Sequence, residues 1–314
     1  MTPQTITFDS AGTRCEAWHF VAEHDGLATA AGRPVVVMGN GLGGTKDTGL
    51  EPFARAFAAA GLDVVVFDYR GFGGSAGEPR QRVSLDGQLV DFQAAMQAAA
   101  GLPGVDGSRL VLWGISLAGG HVLRAAADRS DVAAVIALVP MVDGLAAAVH
   151  ATATHTPGQL LRSTARGIRG RMASTAGRAP VMMPIVARPG EVGALTLPGA
   201  LEDYLSIAGP TWRNEIFADV TLELGTRKPT AAAAKILAPL LVQIADFDQS
   251  APPQASARAA FKGKAEVRHY PCDHFDAFPG KPFYDAARDH AVAFLTRHLT
   301  PAATPEPAKE TAGA

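Results

Sequence analysis

The chain has 314 residues, with 28 Lys and Arg against 30 Asp and Glu and a formal net charge of −2. Apolar residues make up 47% and charged residues 18%, the balance of a globular protein with a generous core. Near-neutrality argues against a broad electrostatic footprint for nucleic acid or anionic lipid and leaves only a local patch open.

In chain order, β-branched runs at 5–8 and 14–21 predict two opening strands joined by a turn at Ala11-Gly12. Residues 34–38 form a continuous apolar strand, followed by a glycine loop and a helix over 47–60 that stops at Gly61. A buried strand is expected at 63–67, then a helix at 85–100 with Ser84 as its N-cap and Gly101 at its end. A strand at 109–113, a helix at 117–128 and a strand at 132–139 complete the first half. From 141 to 235 the strand–helix alternation is interrupted by arginine-rich pieces and an irregular Gly/Pro stretch. It resumes with a strand at 236–245, a helix after Pro252-Pro253, a strand at 265–270 and a last helix at 284–299. Alternation of this kind predicts an α/β fold with a mostly parallel sheet. The break predicts a largely helical insertion at 141–235 between core parts 1–140 and 236–300. Residues 301–314, rich in Pro, Ala and Thr, are expected to be a disordered tail.

No apolar run reaches the roughly 18 residues of a membrane helix, since Pro140 interrupts the one at 132–142. The first residues lack the basic and apolar regions of a signal peptide. Cys15 and Cys272 cannot make a disulfide framework. A cytoplasmic protein with neither a nucleic-acid nor a membrane partner is therefore the expectation.

Gly114-Ile115-Ser116-Leu117-Ala118-Gly119 runs from an apolar strand straight into an Ala-rich helix. A serine on so tight a turn is exposed by a strained backbone, and small residues two before and two after it let the chain segments nearly touch. The new helix aims free N–H groups and its positive dipole end at that serine. A serine nucleophile also needs a base and a carboxylate to orient it. Asp246 and Asp248 follow the strand ending at Ala245, and Asp273-His274-Phe275-Asp276 follows the strand ending at Tyr270. Both loops should open at the carboxyl edge of the sheet, where Ser116 sits. The chain order Ser, Asp, His fits this architecture.

With Gly39-Asn40-Gly41-Leu42-Gly43-Gly44 and Asp68-Tyr69-Arg70-Gly71-Phe72-Gly73-Gly74-Ser75, these pieces resemble the α/β-hydrolase family over residues 5–299. Among its members the chain looks most like bacterial serine esterases with a helical cap after the sixth strand, and fungal polyketide acyltransferases look similar. The resemblance implies an eight-stranded, mostly parallel sheet flanked by helices, and a catalytic triad of Ser116, Asp248 and His274. It implies an oxyanion hole from the backbone N–H groups of Leu42 and Leu117. Asn40 stands where the family often has His. The family register, three positions after Ala245, favours Asp248, with Asp246 as the alternative. The implied activity is cleavage of a small-molecule carboxylic ester or thioester with an apolar acyl part, or acyl transfer by the same residues. Neither cofactor nor metal is expected, because no His, Cys or carboxylate cluster has ligand spacing.

Cap residues Met182, Met183, Trp212 and Phe217, together with Leu195, Leu197 and Tyr204, are expected to line an acyl pocket; a cap core of their own is the competing role. Arg213 could meet a substrate carboxylate or pair with Glu215. His121 is expected to pack or face solvent, His290 and His298 to sit on the last helix remote from any strand edge, and His150 and His155 to lie on the cap surface, with substrate contact as their alternative. Cys272 is expected to be a small buried residue. A different class also fits one motif: Gly39, Gly41 and Gly44 match the dinucleotide-binding Gly-x-Gly-x-x-Gly, with Asp68 ending the next strand. That reading, an oxidoreductase, leaves Ser116 and the Asp273–Asp276 loop unexplained.

Overall fold

The computed structural model describes residues 2–301. Among them, eight strands form one sheet in the order β1-β2-β4-β3-β5-β6-β9-β10. The hairpin β1 (Gln4–Ser10) and β2 (Thr13–Phe20) is antiparallel, and β2 meets β4 (Asp63–Phe67) antiparallel. From β4 onward β3 (Arg33–Gly39), β5 (Val105–Ile115), β6 (Val132–Leu138), β9 (Leu240–Ala245) and β10 (Glu266–Tyr270) run parallel. Val35, Val36, Val37 and Met38 are fully buried, as are Val64, Val65 and Val66. Strands covered on both faces read as continuous apolar runs, which is the pattern seen in the sequence.

Helices α1 (Glu51–Ala59) and α9 (Tyr284–Leu299) cover one face. The other is covered by α2 (Leu85–Ala100), α3 (Leu117–Ala125) and α8 (Pro253–Lys262). Ser84 caps α2, its side chain accepting from the Gly87 N–H at 3.2 Å. Trp113 on β5 is wholly buried, its ring 5.1 Å from that of Phe53 on α1.

Several boundaries differ from the sequence expectation. α1 begins at Glu51 rather than 47 because the Asn40 amide ties down the preceding turn, donating to the Thr45 and Thr48 carbonyls at 2.8 Å each. β9 begins at Leu240 rather than 236, since Pro239 has no N–H to give a ladder. α3 ends at Ala125 and the chain turns at Asp128, whose φ is +59°. β5 starts four residues earlier, at Val105, with an irregular register before Val35.

Between β6 and β9 the chain carries α4 (Gly144–Thr154), α5 (Pro157–Thr175), β7 (Met182–Met183), α6 (Ala200–Ile207), β8 (Ile216–Phe217) and α7 (Val220–Leu224). A 3-10 turn at Pro229–Lys235 returns it to the sheet. Of the tail expected at 301–314, residues 302–314 lie outside the described residues. No described helix is long and apolar enough to cross a membrane.

Candidate active site

The link between β5 and α3 is a single residue. Ser116 adopts φ 55°, ψ −118°, a left-handed φ that bulky L-residues avoid. The bend works only because its neighbours are small. A Cβ on Gly114 would stand 2.3 Å from the Ala118 carbonyl oxygen, and one on Gly119 would stand 2.5 Å from Pro140 Cβ. The Ser116 N–H donates to the Leu138 carbonyl at 3.0 Å, and its own carbonyl accepts from Gly119 and Met141 at 2.9 Å each. The strained residue is thus held from both sides.

The loops after β9 and β10 meet this serine. His274 Nδ1 lies 2.7 Å from Asp248 Oδ2, and its Nε2 lies 3.0 Å from Ser116 Oγ. A carboxylate accepts only, so Nδ1 carries the proton and Nε2 of the neutral ring accepts from the serine hydroxyl. Asp248 and His274 are each 3% exposed. The other Asp248 oxygen accepts the N–H groups of Ser250 at 2.8 Å and Ala251 at 2.6 Å, which fixes the carboxylate plane. Burial alone would lower the His274 pKa. The Asp248 charge and hydrogen bond, backed by the Asp273 charge, outweigh it and hold the value above the ordinary imidazole one. The arrangement can take a proton from Ser116 Oγ and stabilise the imidazolium that results.

Asp246, the alternative acid, points elsewhere: its Oδ1 meets His269 Nδ1 at 2.6 Å, in an exposed pair. Asp273, which sequence reasoning passed over, joins the two loops. It accepts from the His274 N–H at 2.7 Å, the Gln249 N–H at 2.9 Å and the Gln249 side-chain amide at 2.7 Å. Its own N–H donates to Asp276, closing a capping box on the 3-10 turn His274–Ala277. That box is written in the sequence as acids three apart, and was the available signal.

The glycine loop after β3 brings Gly41 against the serine, a Cβ there falling 3.0 Å from Ser116 Cβ. Asn40 faces into its own loop. Besides binding Thr45 and Thr48, its side-chain oxygen accepts from the Gly41 N–H at 2.7 Å, which accounts for an amide in place of an imidazole. Asp68 is likewise committed inside the core: its carboxylate accepts from the Lys46 N–H at 2.6 Å, Lys46 Nζ at 2.6 Å and the Gly74 N–H at 2.8 Å. The carboxylate that the dinucleotide reading assigns to a ribose is thus already occupied.

A cavity of about 420 Å³ opens above Ser116 and His274, with Leu42, Leu117, Phe275 and Phe278 in its wall. The insertion supplies the rest, and does so mainly with small side chains. Gly144, Ala147, Ala148 and Ala151 of α4 recur at helical spacing along one wall. The insertion's polar side chains on this cavity are His155, Gln159, Ser163, Thr164, Thr196, Tyr204 and Thr221, with His155 Nε2 2.9 Å from Thr196 Oγ1. His155, expected on the cap surface, is in this wall.

Leu195, Leu197 and Tyr204 line the cavity as expected, but Met182, Met183, Trp212 and Phe217 do not. Those four form the frame of the insertion. Met182 and Met183 pair antiparallel with Phe217 and Ile216, Trp212 stacks on Tyr204 at 4.9 Å, and Phe217 lies under the Arg82 guanidinium. Apolar size alone did not distinguish wall from frame. Tyr204 also reaches the glycine loop, donating its hydroxyl to the Leu42 carbonyl at 2.9 Å. Arg213 stands 4.0 Å from Glu215. His121 is buried beside Gln88, and desolvation pulls its pKa down to about 3. Cys272 is buried too, and burial, with the surrounding carboxylates, pushes its thiol up to about 12, far from a reactive thiolate.

Known proteins agree with this architecture. Residues 34–281 match the model of the alpha/beta hydrolase fold. The chain is 34% identical over 298 residues to the quorum-quenching protein AidA of Acinetobacter baumannii, covering 94% of this chain and 95% of that one. It is 28% identical over 160 residues to the thiohydrolase aneE of Aspergillus aculeatus, about half of either chain. The crystal structure of the alpha/beta hydrolase GrgF from Penicillium superposes with a TM-score of 0.76 over 95% of this chain and 99% of that one, at 22% identity. A family model spanning most of the sheet and a relative aligned along nearly its whole length lead to one conclusion: this chain belongs to the α/β-hydrolase family.

Proposed function

We propose that the protein is a serine hydrolase that cleaves a small carboxylic ester or thioester through an acyl-enzyme on Ser116. The observation that carries this reading is the position of His274, 3.0 Å from Ser116 Oγ on one side and 2.7 Å from Asp248 on the other. Ser116 Oγ attacks the carbonyl carbon while its proton passes to His274 Nε2. Asp248 holds the tautomer and stabilises the imidazolium. The oxyanion is received by the backbone N–H groups of Leu42 and Leu117, each such donor being worth about 10²–10³ in rate. His274 then returns the proton to the departing alcohol or thiol. Water, deprotonated by the same imidazole, attacks the acyl carbon and frees the acid. The segment 141–235 acts as a cap over this chemistry, and its mostly apolar cavity suits an apolar acyl part.

Relatives named for thiohydrolysis and for polyketide transfer support a second outcome at the same site, in which an alcohol or amine replaces water in the last step. Labelling with a fluorophosphonate followed by peptide mapping tests the common part. Adduct on Ser116, absent from Ser116→Ala, is the expected result; adduct elsewhere, or none on folded protein, overturns the scheme. A panel of p-nitrophenyl esters with and without an alcohol acceptor then separates hydrolysis from transfer.

A further inference from the structure

Positive charge is concentrated in the cap. From residue 144 to residue 190 the chain has six arginines, at 162, 166, 169, 171, 178 and 188, and neither aspartate nor glutamate, although the whole molecule carries −2. Residues Pro157–Thr175 of this stretch form α5, about 28 Å of helix. One side of α5 is pressed onto the chain around α7. A Cβ on Gly167 would fall 2.4 Å from Thr221 Oγ1, and one on Gly170 would fall 3.0 Å from Asp219 N. The opposite side carries Leu161, Ala165, Ile168 and Met172, at i, i+4, i+7 and i+11, which is a single line along a helix. Leu161 is 70% exposed, Ile168 47% and Met172 64%. By the same geometry Arg162 and Arg169 border this line on one flank and Arg171 on the other. Arg162 and Arg166 donate to the neutral carbonyls of Gly190 and Met182. Among the described residues no carboxylate forms an ion pair with Arg162, Arg166, Arg169 or Arg171.

An exposed apolar line flanked by arginines on an acid-free helix is the pattern of a helix lying in a membrane interface. A second copy of the chain fits the same face poorly, because face-to-face contact would bring two sets of unpaired arginines together. We propose that α5 seats the protein on a negatively charged lipid bilayer, with Leu161, Ile168 and Met172 at the acyl boundary and the arginines among the phosphates. This is a surface contact, the local patch that overall neutrality left open. The inner side of the same helix lines the cavity through Gln159, Leu160, Ser163 and Thr164, so docking sets the cavity beside the lipid.

Co-sedimentation of the full chain with vesicles of phosphatidylcholine and phosphatidylglycerol, against phosphatidylcholine alone, tests the proposal. Binding is expected only with the anionic lipid and should weaken as salt is raised. Arg169→Gln should lower it about fivefold, the value of one juxtamembrane cation. The double variant Leu161→Asp, Met172→Asp should lower it at least tenfold. Both changes are on the outer surface, so the thermal midpoint in vesicle-free buffer should hold and serves as the check on folding. Equal binding to both vesicles, binding to neither, variants that bind like the parent, or a solution dimer that the double variant splits would each overturn it.

Discussion

The Asp246–Asp248 pair separates two carboxylates two residues apart by what each touches. Asp248 is buried on His274, and Asp246 is exposed on His269. Asp248→Asn leaves the packing in place but favours the wrong imidazole tautomer, and is expected to lower kcat on a p-nitrophenyl ester by about 10⁴. Asp246→Asn should leave it within about twofold, because its partner lies outside the site. The same contact sets the pH profile. His274 must be neutral to act as a base, and its pKa is held above 6.5, so kcat/KM should rise with pH along a limb centred above that value. In Asp248→Asn the residual activity should show the limb displaced downward, since burial remains and the compensating charge is gone. Protonated His274 also favours the fold: that contribution is complete below pH 6.5 and is lost as pH rises through the raised value.

At the scale of the element, the turn between β5 and α3 concentrates the cost of the site in one bend. Gly114→Ala would set a Cβ 2.3 Å from a backbone oxygen that cannot swing aside. The expected loss is about 2 kcal/mol or more, read as a lower urea midpoint, and labelling at Ser116 should fall with it. This bend was legible in the sequence because its requirement for small residues is local, as were the strands whose burial on both faces leaves continuous valine runs. His274 was legible for the same reason, at the end of a strand. What escaped were features settled by distant partners. The choice between Met183 in the frame and Leu195 in the wall depends on which cap segments pair, and the helical start at Glu51 depends on a side chain eleven residues earlier. The capping box of Asp273 is local, but its tie to the Gln249 amides escaped because they belong to another loop.

Across the whole molecule, the cavity is a joint product of the sheet edge and the chain between β6 and β9, and its width on the α4 side is set by alanines. Ala151→Leu should therefore shift preference toward shorter acyl chains in an ester series. The expected change is about tenfold or more in the ratio of kcat/KM for long over short substrates, with little change for the acetate. The carboxylate of Asp273 has a different reach. It fastens the loop that holds Asp248 to the turn that holds His274, both rooted in neighbouring strands β9 and β10, whereas Ser116 belongs to β5, beyond β6. Acid and imidazole are thus a preassembled cassette, which the serine meets from elsewhere in the sheet. On gentle warming, the low-field proton resonance between Nδ1 and the carboxylate should outlive turnover, so that thermal inactivation records a separation of intact parts.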